Sequence, residues 1–90
     1  MAFKLSKKEF VHRRPKWLTR FLFNIPPATY MVYNGFSSAK EGILSIKKII
    51  EDLHILDKRS RLHLFVSDDA LEIKGKQNRT IVRFQIEPIC

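Results

Sequence analysis

Apolar residues recur at steps of three and four in the middle of the chain, and this stripe is the feature that most constrains the fold. It predicts an amphipathic helix over about residues 39–54, with most charged side chains on the opposite face. Ser38 and Glu41 fit a capping box, in which hydroxyl and carboxylate each take an unpaired backbone N–H. Because the apolar face must be buried, the rest of the chain has to supply a matching layer. The stripe consists of Ile43, Ile46, Ile49, Ile50 and Leu53.

The matching layer is predicted to be a sheet. Apolar and polar residues alternate in three segments after the helix, as in half-buried strands. The turns between these segments are short, which favours antiparallel pairing. Another strand is predicted near residues 30–33, before the Asn34-Gly35 reversal. The order of elements indicates an α+β fold with helices on one face of an antiparallel sheet. The three alternating segments span residues 62–66, 71–73 and 82–86.

A second, shorter helix is predicted between Arg13 and Phe23. Pro15 suits its first turn, and the helix has to end before the Pro26-Pro27 pair. Its apolar residues form one stripe, which has two interpretations. The stripe docks on the sheet of the same domain, or it inserts into a membrane interface. The stripe consists of Trp17, Leu18, Phe21 and Leu22.

Positive charge is concentrated at the N-terminus. The chain has 17 basic and nine acidic residues, a net charge of +8, yet residues 1–20 carry seven of the basic side chains and only one carboxylate, Glu9. The sequence therefore divides into a basic N-terminal arm with the short helix, residues 1–24, and a nearly neutral domain, residues 25–90. Such an arm either provides solubility or attracts phosphate, of lipid headgroups or of nucleic acid.

Catalytic patterns are absent from the sequence. His12, His54 and His63 fall on different predicted elements, without partners at metal-ligand spacing. Asp68-Asp69 is typical of a turn, and a lone cysteine, Cys90, allows no internal disulfide. No secretory signal and no apolar run near the ~18 residues of a membrane span occurs. We expect a non-enzymatic intracellular protein without cofactor or metal.

Four segments together resemble the first half of a phosphotyrosine-binding (PTB) domain, a member of the PH-like superfold. They are Tyr33-Asn34-Gly35, Gly42 in the isoleucine helix, Leu62 to Ile73 (LHLFVSDDALEI), and Phe84 to Cys90 (FQIEPIC). The resemblance covers about residues 28–90. Asn34 and Ala70 depart from the family pattern, which has an apolar residue and a glycine there. The chain also ends at Cys90, so the resemblance implies a partial PTB-like sheet, either truncated on its C-terminal side or completed by a partner.

The resemblance implies a non-catalytic adaptor in signalling that binds Asn-Pro-x-Tyr-type peptide tails of receptors. In the family the peptide adds a strand to a sheet edge, which corresponds here to Ile86, Ile89 and Cys90. Related domains bind phosphoinositide headgroups through basic residues, so a cytoplasmic location, at the inner face of the plasma membrane, is expected. The corresponding candidates for anionic lipid are Arg13, Arg14, Lys16, Arg20, Lys47 and Lys48.

The alternative hypothesis is a small basic nucleic-acid-binding protein. Its net charge and aromatic residues on a sheet, Phe65 and Phe84, would suit RNA. Core packing explains both aromatic residues more simply, however, and the charge beyond residue 20 is nearly balanced. A third interpretation is a fragment whose only effect is to compete with the complete domain.

Overall fold

A computed structural model describes residues 1–57 and 59–89 and shows an α+β fold. Two helices and five strands account for most of this part of the chain, and the sheet is antiparallel with the order β2-β1-β5-β4-β3. The α+β class and the C-terminal three-strand meander are thereby confirmed. In chain order the elements are β1 (Ala2–Glu9), α1 (Lys16–Asn24), β2 (Val32–Tyr33), α2 (Phe36–Asp52), β3 (His63–Val66), β4 (Ala70–Lys74) and β5 (Thr80–Ile89).

The first residues of the chain form a strand, which the sequence did not predict. β1 pairs along its whole length with β5, from Ala2 opposite Ile89 to Glu9 opposite Val82. The sheet therefore includes part of the segment expected to be a basic arm, and Leu5, Leu18 and Phe21 of that segment share one core with the rest of the chain. Leu5 is the only fully buried residue of the strand. Because Lys4, Lys7 and Lys8 occupy much of the rest of the strand, its sequence lacks the clear alternation of apolar and polar residues that predicts a strand.

Helix α1 packs on the core of the same domain, as the first of its two interpretations expected. Leu18 and Phe21 are fully buried, and the Phe21 ring meets the Phe84 ring edge-on, with 5.8 Å between the ring centroids. Pro15 is the N-cap, and its carbonyl accepts the first helical hydrogen bonds from Leu18 and Thr19. Neither helix in the described part of the chain has the length and hydropathy needed to cross a bilayer.

Helix α2 buries the predicted isoleucine stripe but begins earlier than expected. Its N-cap is Gly35, whose carbonyl accepts a hydrogen bond from the Ala39 N–H, so Ser38 lies inside the first turn and the predicted capping box is wrong. The earlier start brings the ring of Phe36 against that of Phe3, with 5.8 Å between the centroids. The buried residues of α2 are Ala39, Gly42, Ile43, Ile46 and Ile50.

A glycine lets α2 approach the sheet closely. A Cβ atom at Gly42 would lie 2.7 Å from the Tyr33 hydroxyl oxygen and 2.9 Å from Cδ1 of Leu5. The Tyr33 hydroxyl in turn donates a hydrogen bond of 2.6 Å to the Thr29 carbonyl. Gly42 therefore allows the helix to contact β1 and β2 without displacing that bonded hydroxyl.

The helices cover one side of the sheet and leave the other side in contact with solvent. The covered side carries the alternating apolar residues of the central strands, including Leu71, Val82 and Phe84, all fully buried. We call the uncovered side the open face. Paired residues share a face, so the register aligns one row of open-face residues across four strands. This row consists of Lys8, Arg83, Glu72 and Phe65.

Candidate functional site

The predicted peptide-binding edge lies at the end of β5. Ile86 is 5% exposed and its N–H donates a hydrogen bond of 2.8 Å to the Asp69 carbonyl. Ile89 pairs with Ala2 of β1, and Cys90 lies outside the described residues. Beyond Ile86 the next residue whose backbone faces away from β1 is Pro88, which has no N–H. Along residues 86–89 a new strand would therefore meet no free backbone N–H.

A better-exposed edge lies on β3, which is one of the two edge strands of the sheet. The Ser67 N–H donates a hydrogen bond of 2.8 Å to the Ala70 carbonyl, so alternate residues of β3 face β4 and the others face outward. The outward-facing residues are Leu64 and Val66, which we call the free edge. The side chains of Phe65 and Val66 are 50% and 44% exposed. The other edge strand, β2, has only two residues.

The predicted lipid-binding cations belong to three different parts of the fold: the segment between β1 and α1, helix α1, and helix α2. Lys16 and Arg20 are exposed on the side of α1 opposite Leu18. Lys48 on α2 is exposed, and Lys47 lies 3.9 Å from the Glu51 carboxylate. Arg13 is exposed in the segment that follows β1, next to Arg14.

Arg14 is occupied by an ion pair with the carboxylate of Glu9. Its Nε and Nη2 atoms donate hydrogen bonds of 2.6 and 2.8 Å to the two carboxylate oxygens, and Lys7 Nζ lies 3.4 Å from one of them. The bonds from Arg14 are the main reason why the pKa of Glu9 lies below its ordinary value of 4.5, although partial burial opposes this. Arg14 is therefore a weaker candidate for an external anion than Arg13.

The Arg14→Gln substitution is expected to raise the pKa of Glu9 toward 4.5, which is its ordinary value. A carboxylate with a lowered folded-state pKa stabilises the fold above its unfolded-state pKa, and this stabilisation is lost as the pH falls through the folded-state pKa. The parent chain should therefore be more stable than the variant at neutral pH, and the difference should disappear in acid. NMR titration of the Glu9 carboxyl tests the pKa, and urea unfolding at neutral and at acidic pH tests the difference in stability. Arg13→Gln, which removes the adjacent charge, should leave the Glu9 titration nearly unchanged.

Cations from distant parts of the sequence meet at the end of the sheet where β1 stops and β5 starts. A cleft of about 430 Å³ lies between residues 10–13 and 75–81, and a second groove continues from it through the shared Gly75 and Lys76. We call both together the basic cleft. Neither groove has an acidic residue among its described lining. The exposed cations of the basic cleft are Arg13, Arg61, Lys76 and Arg79.

Two phenyl rings are exposed on the open face, and one of them, Phe10, lines the basic cleft. Phe10 is 42% exposed, with Lys8 Nζ 5.2 Å and the Arg83 guanidinium carbon 5.4 Å from its ring centroid. Phe65 lies with Lys74 Nζ 4.6 Å from its ring centroid. Phe84, the other aromatic residue of the nucleic-acid hypothesis, is fully buried, as the core-packing interpretation expected, so it is not available to RNA. Alternation explains this, because Phe84 lies opposite the buried Leu71 of β4.

Sequence reasoning missed most of the basic cleft and all of the free edge. The run from Lys74 to Arg79 carries three cations and no acid, which could have indicated the cleft. The three histidines are spread over the segment after β1, the segment after α2, and β3. Within the described residues, no group of three or more potential metal ligands occurs. Comparison of this chain with protein-family models, curated proteins and solved structures gives no match.

Proposed function

We propose that the chain is a non-catalytic adaptor module that binds an extended peptide by strand addition. The observation that carries this proposal is the free edge of β3. The resemblance of residues 28–90 to part of a PTB domain favours peptides of the Asn-Pro-x-Tyr type. The meander also supports it, because β4 and β5 are antiparallel neighbours with Leu71 opposite Phe84.

The free edge can provide both affinity and register. Leu64 and Val66 each have an outward N–H and carbonyl, so an added strand could form up to four backbone hydrogen bonds, each of about 0.5–1.5 kcal/mol net. Phe65 and Val66 would give the peptide apolar contacts on opposite faces of the extended sheet. Such an edge is also a site of self-association unless a ligand covers it.

Helix α1 supports an accessory contact with anionic membrane. Lys16, Arg20 and Phe23 lie at i, i+4 and i+7 on its exposed face, and the Phe23 side chain is 89% exposed. An exposed aromatic residue flanked by cations is typical of interfacial binding. We propose that this face, with Arg13 nearby in sequence, brings the module to the membrane that carries its peptide ligands.

The Val66→Pro substitution is expected to weaken binding of an Asn-Pro-x-Tyr peptide by about three- to tenfold, the effect of losing one edge hydrogen bond. Because the Val66 N–H faces away from β4, proline should remove this donor without breaking the internal ladder. The matched variant Val66→Ala keeps the donor and should lose less affinity. Amide chemical shifts of the parent chain during peptide titration measure the Kd and locate the contact.

Two results would contradict this proposal. Equal affinity of the parent chain and Val66→Pro would show that the free edge does not hold the peptide. Chemical shift changes concentrated at Glu87 and Ile89, with none at Leu64 and Val66, would move the site to the end of β5. A peptide in which both Asn and Tyr are replaced by Ala is the ligand control, and it should bind more weakly than the parent peptide.

A further inference from the structure

We infer that the basic cleft and the adjoining part of the open face bind single-stranded nucleic acid. In this arrangement Arg13, Lys76 and Arg79 contact backbone phosphates, and Phe10 and Phe65 offer rings to the bases. This site shares Phe65 with the peptide contact and Arg13 with the membrane contact, but Phe10, Lys76 and Arg79 belong to it alone, and it does not rest on peptide binding. The proposal is carried by the unneutralised cations of the cleft, by Phe10 beside them, and by a second exposed ring, Phe65, on the open face.

The cations of the basic cleft are available to an external anion. Arg13, Arg61, Lys76 and Arg79 are all exposed, and none of them takes part in an ion pair with a carboxylate of the described chain. Arg14, by contrast, is held by Glu9. Four like charges at one end of a small domain repel one another, so a polyanion that neutralises them is favoured.

The backbone around the second groove supports a surface shaped for a ligand. Arg61, Gln77 and Asn78 have φ angles of 54°, 59° and 57°, in the left-handed region that non-glycine residues seldom adopt. All three residues line this groove. The tight turn at Gln77 and Asn78 places Lys76 and Arg79 on either side of it, so that both extend from the same end of the sheet. Residues in sparsely populated conformations concentrate at binding sites.

The exposed aromatic rings of the open face favour nucleic acid over other anions as the ligand. Phe10 directly follows β1, and its N–H donates a hydrogen bond to the Ile81 carbonyl, whereas Phe65 lies on β3. Three strand spacings separate these two strands, about 14 Å, a span that a few nucleotides can bridge. Bases stack on aromatic rings of a sheet while basic residues follow the phosphates. Free phosphate would use the cations alone, and a flat bilayer would not enter a cleft.

An acidic residue, Glu72, lies on the open face and lowers the positive charge there. Glu72 pairs with Arg83 and also lies 3.6 Å from Lys74. It therefore neutralises part of the charge in the middle of the open face but leaves the cations at the end of the sheet unpaired. Because phosphates are attracted to the unpaired cations, we expect the strand to follow the cleft, with its bases turned toward Phe10 and Phe65.

The test compares two variants of the full chain that lose the same charge at different places. Lys76→Gln/Arg79→Gln removes two cations from the cleft, and Lys16→Gln/Arg20→Gln removes two from α1. Fluorescence anisotropy with an oligouridylate of about 12 nucleotides measures the Kd between about 50 and 200 mM salt. We expect the cleft variant to raise the Kd about tenfold or more at the lower salt and to reduce the salt slope by ~1.4, which is 0.7 per lost phosphate contact. The α1 variant should remain close to the parent chain.

Several outcomes would overturn this inference. These are no binding at low salt, salt-insensitive binding, equal losses in the two double variants, and competition by inorganic phosphate as effective as by oligonucleotide. Binding to phosphatidylserine vesicles without binding to oligouridylate would assign the cations to lipid instead. Phe65→Ala should weaken oligonucleotide binding at unchanged salt slope, and an unchanged Kd would remove the stacking role. Val66→Pro should leave oligonucleotide binding intact, so failure of this inference and failure of the peptide proposal are distinguishable.

Discussion

The Ser6→Pro substitution is expected to lower the free energy of unfolding by about 3 kcal/mol or more, whereas Lys7→Pro, one residue further along, is expected to be tolerated. The two residues lie on the same strand and differ in the direction of their backbone groups. Phe10 donates its N–H to the Ile81 carbonyl, so even-numbered residues of β1 face β5. Ser6 therefore donates into the middle of the β1–β5 ladder, opposite Gln85.

The energetic difference between these two variants should be large. Proline at position 6 removes a ladder hydrogen bond in the interior of the sheet and puts its ring against β5, at a cost of about 3 kcal/mol or more. A domain of this size has about 5–13 kcal/mol of unfolding free energy in total. The Lys7 N–H faces the other way, toward the β2 side, and β2 pairs only with Phe3 and Lys4. Proline at position 7 therefore breaks no ladder bond.

Urea unfolding followed by circular dichroism measures both variants. Equal stability of Ser6→Pro and the parent chain would mean that the first residues are an arm outside the sheet, as the charge distribution alone suggested. Equal destabilisation by the two substitutions would contradict the register of β1 on β5. Either result would also remove Phe10 from the open face, because its position depends on the pairing of β1 with β5.

The elements that could be predicted from the sequence are those with a strong period of their own. The stripe from Ile43 to Ile50 indicates α2 without any knowledge of its partner, and the alternation of Val82, Phe84 and Ile86 indicates β5. β1 could not be predicted in this way. After Phe3 and Leu5 its covered side continues with Lys7 and Glu9, so its sequence lacks the apolar alternation of a strand. It is a strand because it forms backbone hydrogen bonds with β5.

The candidate sites depended even more on tertiary structure. The basic cleft joins Arg13, Arg61 and Lys76, which are far apart in sequence. Summed along residues 21–90, the charge of Arg61 and Lys76 is nearly balanced by acidic residues that the fold places elsewhere, such as Asp68 near Lys40. The free edge could not be predicted either, because only the strand order shows that β3 is an edge. Local propensity does not contain this information.

The Phe84→Ala substitution is expected to cost about 3–5 kcal/mol of unfolding free energy, and Phe65→Ala less than about 1 kcal/mol. Phe84 is fully buried, and its ring meets that of Phe21 edge-on, with 5.8 Å between centroids, so truncation leaves a cavity between sheet and helix. Phe65 is half exposed on the open face, where truncation removes its contact with Lys74 but leaves no cavity in the core. Fluorescence of Trp17, the only tryptophan and a partly buried neighbour of the core, reports unfolding in both variants.

The pair of substitutions tests which face of the sheet is covered. A shift of one residue in the register would exchange the two faces, so that Arg83 and Gln85 pointed inward and Phe84 outward. Phe65→Ala would then be as costly as Phe84→Ala, or more costly. That result would take Phe65 out of the open face and leave the proposed nucleic-acid surface without one of its two rings. The expected result, a destabilised Phe84→Ala and a stable Phe65→Ala, makes Phe65→Ala suitable for binding measurements, because any loss of oligonucleotide affinity would come from a folded chain.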